Sequence, residues 1–311
     1  MRSALSSIGL AACFFVGGCQ RTVEFERQTI TIRHDPEADT VDVRLVHRGV
    51  FTPLPAAMTE DDQELLNDAV AAIERIASGM REFMTADGSA LISIDEMAAK
   101  DAEEVDGTSI ADPLCALRLE IYPLVHLIDH AAFVDDELRL GFVQHFEIRP
   151  WSEFERRTNE LIGRAVITHD EAIRAGTSQR SGSSDVEGDA LRVAKARAGT
   201  PWFAIRDGQW QLDLAMSHAE YADWVRLVLD PHVAVASPGF ASLVTEVLAS
   251  SRRVAHDDEG LELDVGVAGE PIRLNIQNRM NEYDHRLCEA VRAHGIELRN
   301  AAELADLLGD E

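Results

Sequence analysis

The chain has 311 residues, 46% hydrophobic and 27% charged, which suits one large or two modest folded domains and excludes disorder as its overall state. Its 55 acidic against 29 basic residues give a net charge of −26, a balance that repels phosphate backbones and anionic lipid headgroups and excludes nucleic acid as a partner. Solubility is the plain reading of such acidity; attraction of cations or of a basic partner is the functional one.

Met1-Arg2 is a short positive start, and Ala4 to Val16 is mostly apolar, with Leu5, Ile8, Leu10, Phe14 and Phe15. A membrane-spanning helix needs about 20 apolar residues, so this shorter run reads as the core of an export signal. It ends in Val16-Gly17-Gly18-Cys19, an aliphatic residue and two small ones before a cysteine. This resembles the lipobox of bacterial lipoproteins. The resemblance implies cleavage before Cys19, a diacylglycerol on its thiol and a fatty acyl on the new N-terminus. It would make the protein lipid-anchored in the cell envelope. Gln20 follows where aspartate would signal inner-membrane retention in the enterobacterial pattern, which favours the outer membrane.

Residues 19–27 read as a lipidated tether. Ile30 and Ile32 alternate with Thr29 and Thr31, and Val41, Val43 and Leu45 alternate with Asp42 and Arg44. Two half-buried strands joined through His34-Asp35-Pro36 make a hairpin. After Pro53 and Pro55, Thr59 with Glu60, Asp61 and Asp62 suits a helix N-terminus. Leu65, Leu66, Val70, Ile73, Ile76, Met80 and Phe83 continue at helical spacing. Leu91, Ile92 and Ile94 suggest a short strand, and residues 98–114 an acidic loop.

From 115 to 149 the alternation predicts a long hairpin. Leu117, Leu119, Ile121, Val125 and Leu127 share one face, with Pro123 marking an edge or a bulge. The return strand carries Leu138, Leu140, Phe142, Phe146 and Ile148 on its apolar face. An even-numbered loop about Asp135-Asp136 sets Val125 opposite Phe146. Ser152-x-x-Glu155 and Thr168-x-x-Glu171 are capping boxes, opening one helix and then a second, shorter one.

Residues 177–188, rich in Ser, Gly and charge, are the linker between an α+β half at 28–176 and another at 189–311. In the second, Asp207-Gly208 predicts a hairpin pairing Ile205 with Trp210 and Phe203 with Leu212. Ser217-x-x-Glu220 caps a following helix, so each half holds a hairpin leading into a helix. Pro238 to Leu248 looks helical. Strands follow at Val254, at 261–267 and at 272–276, then a helix stripe of Met280, Leu287, Cys288 and Val291 ending near Gly295. Asn300-x-x-Glu303 opens a last short helix. The fold class is α+β, mostly antiparallel hairpins each followed by a helix packed on the sheet.

Chemistry is sparse. There is no Gly-x-Ser-x-Gly, no phosphate-binding glycine loop and no Cys-x-x-Cys. His126 and His130 are too far apart along a strand, roughly 13 Å, for one ion to take both. The expected register instead sets His126 opposite His145, about 5 Å away, as a candidate metal pair with Glu147 or Tyr122 as third ligand. Cys115 and Cys288 could form a disulfide in an oxidising compartment, or stay as two buried thiols. The acidic clusters 135–137 and 257–259 lack EF-hand spacing and read as solvated turns. The four tryptophans read as core, with a stacking platform as the rarer use. The leading expectation is a non-enzymatic envelope protein, structural or binding a partner through an exposed sheet face, with no cofactor beyond the covalent lipid. Its alternatives are a metal-dependent envelope hydrolase using His126 and His145, and a small-molecule carrier with a cavity between sheet and helices.

Overall fold

The computed structural model describes residues 23–84, 91–106, 113–174, 201–206, 209–214, 242–243, 245–247, 251–257, 260–267, 270–278 and 283–308. The export signal, Cys19, the linker 177–188, Ser217 with its helix, Trp224 and Met280 lie outside these residues. The fold is α+β.

β1 (Glu24–Asp35) and β2 (Thr40–Phe51) form the expected hairpin, with Ile30 opposite Leu45 and Ile32 opposite Val43. Thr59 caps α1 (Glu60–Ala77): its hydroxyl accepts from the Asp62 N–H, and the Asp62 carboxylate accepts from the Thr59 N–H at 2.8 Å. Gly79, with φ +89°, ends the helix as the Met80 N–H donates to the Arg75 carbonyl and the Gly79 N–H to that of Ile76. Met80 and Phe83, expected on the helix stripe, therefore lie beyond it. Phe83 falls in β3 (Glu82–Met84), which pairs with β4 (Leu91–Ser93).

Two expectations fail between 94 and 124. The acidic stretch from 98 is not a loop but α2 (Ile94–Asp106), and residues 115–121 are not a strand but α3 (Pro113–Ile121). Cys115, Arg118 and Tyr122 are spaced three and four apart, which is helical, and each turns toward Asp101 or Glu104 of α2. Pro123 sits in a 3₁₀ turn (Tyr122–Leu124) that ends this helical segment, and β5 (Val125–Val134) begins only there.

β5 pairs with β6 (Leu140–Ile148) across a five-residue loop, Val134 lying opposite Leu140. That odd loop alone would throw the apolar faces out of phase. A bulge between Leu127 and Asp129, leaving Ile128 half exposed, restores them, so that Leu127 faces Phe146 and Val125 faces Ile148. α4 (Trp151–Arg174) follows and runs unbroken through the second expected capping box.

β7 (Phe203–Arg206) and β8 (Gln209–Leu214) pair in the expected register. With β9 (Ser251–Asp257) and β10 (Gly260–Val267) they form a four-stranded sheet ordered β7-β8-β10-β9. β11 (Ile272–Gln277) runs antiparallel to β1, and β12 (Arg299–Asn300) parallel to β5. The main sheet, β11-β1-β2-β6-β5-β12, thus draws strands from both sides of the expected linker. Between β11 and β12 lies α5 (Arg286–Ala293), and Gly295 follows it at φ +75°. Asn300 accepts from the Ala302 N–H and opens a 3₁₀ turn (Ala301–Leu304) continuing into α6 (Ala305–Leu308).

The main sheet has two unlike faces. Phe25, Leu140, Phe142 and Ile276 pack against Ile73 and Ile76 of α1 and Leu287 and Val291 of α5, all essentially inaccessible to solvent. Each such side chain contributes about 1.5–3 kcal/mol of burial. The opposite face is polar. Among the described residues, the C-terminal segment covers one region of it, where Leu304 packs on Val46, Ala131, Phe133 and Val143. No helix among the described residues is long and apolar enough to cross a membrane.

Candidate functional site

The open face is set by strand alternation. Ile272, Leu274 and Ile276 turn into the core, so Arg273, Asn275 and Gln277 turn out and are exposed. The Thr29 hydroxyl donates to the Asn275 side chain at 3.2 Å, placing the odd residues of β1 on the same side. Pairing extends the face through Arg44 of β2 to His145 of β6.

The expected histidine pair is separated by the longer, five-residue loop, and the bulge does not bring it back together. His126 lies opposite Glu147, and His145 opposite Asp129, so the two histidines are not cross-strand partners. The His145 Nε2 is 3.1 Å from Asp42 Oδ1, and the Glu147 carboxylate pairs with Arg149 at 2.7 Å. Tyr122 turns to α2, where its hydroxyl donates to Asp101 at 2.8 Å. The four groups expected around one ion are thus engaged with separate partners or set apart by the register.

A cluster that sequence reading missed joins α2 to α3. Asp101 accepts from Arg118 Nε at 2.7 Å and Nη2 at 2.6 Å, and the Cys115 thiol donates to Glu104 at 3.0 Å. Asp101, Glu104 and Cys115 offer ligand atoms within 4.8 Å of one another. Arg118 already supplies the positive charge in their midst, its Nη2 lying 3.1 Å from the sulfur. Burial pushes the Asp101 carboxyl up, but the bonds from Arg118 and Tyr122 outweigh it and hold it below the usual range. Burial, then the Glu104 bond, pushes the Cys115 thiol up to about 12, the reverse of what a thiolate ligand needs. The cluster acts as an ion-paired staple between helices. The three- and four-residue spacing of Cys115, Arg118 and Tyr122 was the signal available in the sequence.

Cys288 sits elsewhere, in the core between α5 and α1. Both it and Cys115 are free and buried.

Beneath α1 the covered face holds a polar pair. Gln28 Nε2 and His47 Nε2 are 2.8 Å apart, and the imidazole stacks on Phe142 with centroids at 4.2 Å. Complete burial lowers the His47 pKa to about 3, so the ring is neutral and acts as a core side chain. At the other end of the hairpin, Trp151 packs edge-on to Trp210 at 5.2 Å and His34 lies 6.0 Å from Trp210. Trp151 is only 6% exposed, so this is a packed seam between the sheets rather than a stacking platform. The 135–137 cluster is a turn: Asp135 Oδ1 accepts from the N–H groups of Glu137 and Arg139 at 3.0 and 2.9 Å. Residues 258 and 259 of the other acidic cluster lie outside the described residues.

No family, no curated protein and no solved structure matches this chain.

Proposed function

We propose that the protein is a non-enzymatic, lipid-anchored envelope protein that meets its partner through the open polar face of the main sheet. The anchor is Cys19, and the outer membrane is the favoured location. The observation that carries the reading is the asymmetry of the sheet. One face is filled by α1 and α5, while the other keeps Arg33, Arg273, Asn275 and Gln277 exposed. A filled interface between sheet and helices supports binding at a surface over carriage in an interior cavity.

The lipid anchor is tested by intact mass and fractionation of the protein from its native source. The expected mature chain starts at Cys19, carries a diacylglycerol and an acyl group, and leaves the membrane fraction with detergent but not with salt. A free thiol at residue 19, or an amino terminus upstream of it, ends the reading. Metal analysis of the same material tests the hydrolase alternative. Stoichiometric zinc lost on His126→Ala would replace the non-enzymatic assignment.

A further inference from the structure

We propose that the partner of this face is the membrane surface itself, engaged through anionic phosphodiester headgroups by a field of arginines on β11, β1 and β2. The inference rests on the lipid-anchored reading and names the occupant of that same face. In a chain of 55 acidic and 29 basic residues, this part of the sheet reverses the balance. Alternation and register place Arg27, Arg33, Arg44, Arg48 and Arg273 on it, against Asp42, which His145 already engages, and Asp35 at the hairpin end, whose carboxylate accepts from the Glu37 and Ala38 N–H groups. Arg27 lies directly opposite Arg48, and Thr31 is flanked by Arg44 on one side and Arg273 on the other. Like charges directly opposed across strands destabilise a sheet, so the arrangement costs folding stability and calls for a neutralising anion. Among the described residues Arg27, Arg33 and Arg273 are exposed and have no ion-pair partner, and Arg44 Nε is buried without an acceptor. Arg48 is occupied, lying 5.5 Å over the Phe133 ring.

Reach selects the membrane as the source of that anion. Glu24, where β1 begins, lies five positions after Cys19, a span of at most about 18 Å. Arg27 is three residues further, so an anchored chain keeps the field within reach of the headgroups, with β1 free to lie along the surface. Guanidinium groups take phosphate oxygens two at a time. The acidity of the rest of the molecule does not prevent this, because at physiological salt charges beyond a Debye length of about 8 Å are screened while headgroups in contact are not. Glu303 and Asp306, exposed on the C-terminal segment, bound the field on the β6 side.

The test is arginine footprinting with phenylglyoxal, read by mass spectrometry, on the protein as isolated. It is placed in vesicles of phosphatidylcholine alone and of phosphatidylcholine with phosphatidylglycerol. Arg27, Arg33 and Arg273 are expected to react severalfold more slowly in the anionic vesicles and to recover at high salt. Arg292, exposed on α5 on the far side, should react alike in both. Equal reactivity of the three arginines in both vesicles overturns the proposal, as does equal protection by inorganic phosphate or an acidic peptide. Arg27→Gln/Arg273→Gln should weaken anionic-vesicle binding about 25-fold, roughly fivefold per arginine, without lowering thermal stability, which should rise slightly as the Arg27–Arg48 repulsion is relieved. The two readings fail separately. If residue 19 carries no lipid, sedimentation with phosphatidylglycerol but not phosphatidylcholine vesicles still upholds the face. An acylated protein with no lipid-dependent footprint upholds the anchor alone.

Discussion

The Asp39 carboxylate accepts both the backbone N–H of Ser152, at 2.9 Å, and its hydroxyl, at 2.7 Å. The Asp39 carbonyl also accepts from the Trp151 N–H at 2.7 Å. The tip of the first hairpin therefore caps α4, more than a hundred residues along the chain. Ser152, expected to be the cap itself, is the donor. Glu155, its expected capping-box partner, instead accepts from the Ile205 N–H of β7 at 3.3 Å. One helix end thus ties the first hairpin to the second sheet.

Because Asp39 also sits at φ +53°, substitutions there separate two effects. Asp39→Gly keeps the backbone and loses the cap, at about 1 kcal/mol. Asp39→Ala loses the cap and adds left-handed strain, for a total of about 2–3 kcal/mol. Asp39→Asn, which can still accept and tolerates this conformation, should fall close to wild type. Urea unfolding checks the order; an alanine variant as stable as the glycine one would remove the strain component.

Gly141 lies where β6 meets Phe133 of β5 and His47 of β2. A Cβ there would stand 2.7 Å from the His47 carbonyl oxygen and against the Phe133 ring. Gly141→Ala should destabilise by about 1–3 kcal/mol, the scale of core overpacking. Adding Phe133→Leu should recover only part, because the backbone oxygen stays. Complete recovery in denaturant unfolding would show that the ring alone sets the limit.

What could be read from sequence was local. Thr59, Asn300 and the Asp207-Gly208 sequence signal concern neighbours within a few positions, and the structure places Thr59 and Asn300 as caps and pairs Ile205 with Trp210 as expected. Residues 115–121 failed because a short apolar run fits both periods, and the helical one wins only through Asp101 of α2. His126 and His145 were rightly placed on the polar face. Their pairing was lost to the five-residue loop, whose register already sets His145 opposite Asp129 before the bulge at Ile128 is reached. The arginine field was invisible, because it exists only once β11 returns to β1 from about 240 positions away.

His47 makes acid stability testable. Its pKa is about 3 in the folded chain against an ordinary 6.5, so below 6.5 the unfolded state binds a proton that the folded state does not. Stability from this residue is complete above pH 6.5 and is lost as pH falls from there to 3, on the order of 4 kcal/mol in all. His47→Gln keeps a hydrogen-bonding partner for Gln28 and removes the titration. The difference in unfolding free energy between the two proteins should therefore change by several kcal/mol over that range. Parallel pH profiles would mean that the imidazole is protonated while buried.

The staple between α2 and α3 predicts both a loss and its rescue. Arg118→Met leaves Asp101, whose side chain is only 7% exposed, as an uncompensated buried charge, at a cost of about 3–5 kcal/mol. Asp101→Leu on that background removes the stranded charge and should restore most of the stability, whereas a metal ligand set would gain nothing from losing another donor. In the wild type the Cys115 thiol, pushed up to about 12, should resist Ellman's reagent near neutral pH until the chain unfolds. Because Arg118 holds the place a cation would need, added zinc should leave the melting temperature unchanged. A zinc-dependent rise abolished by Cys115→Ala would show that the guanidinium yields to the metal and that the cluster is a binding site after all.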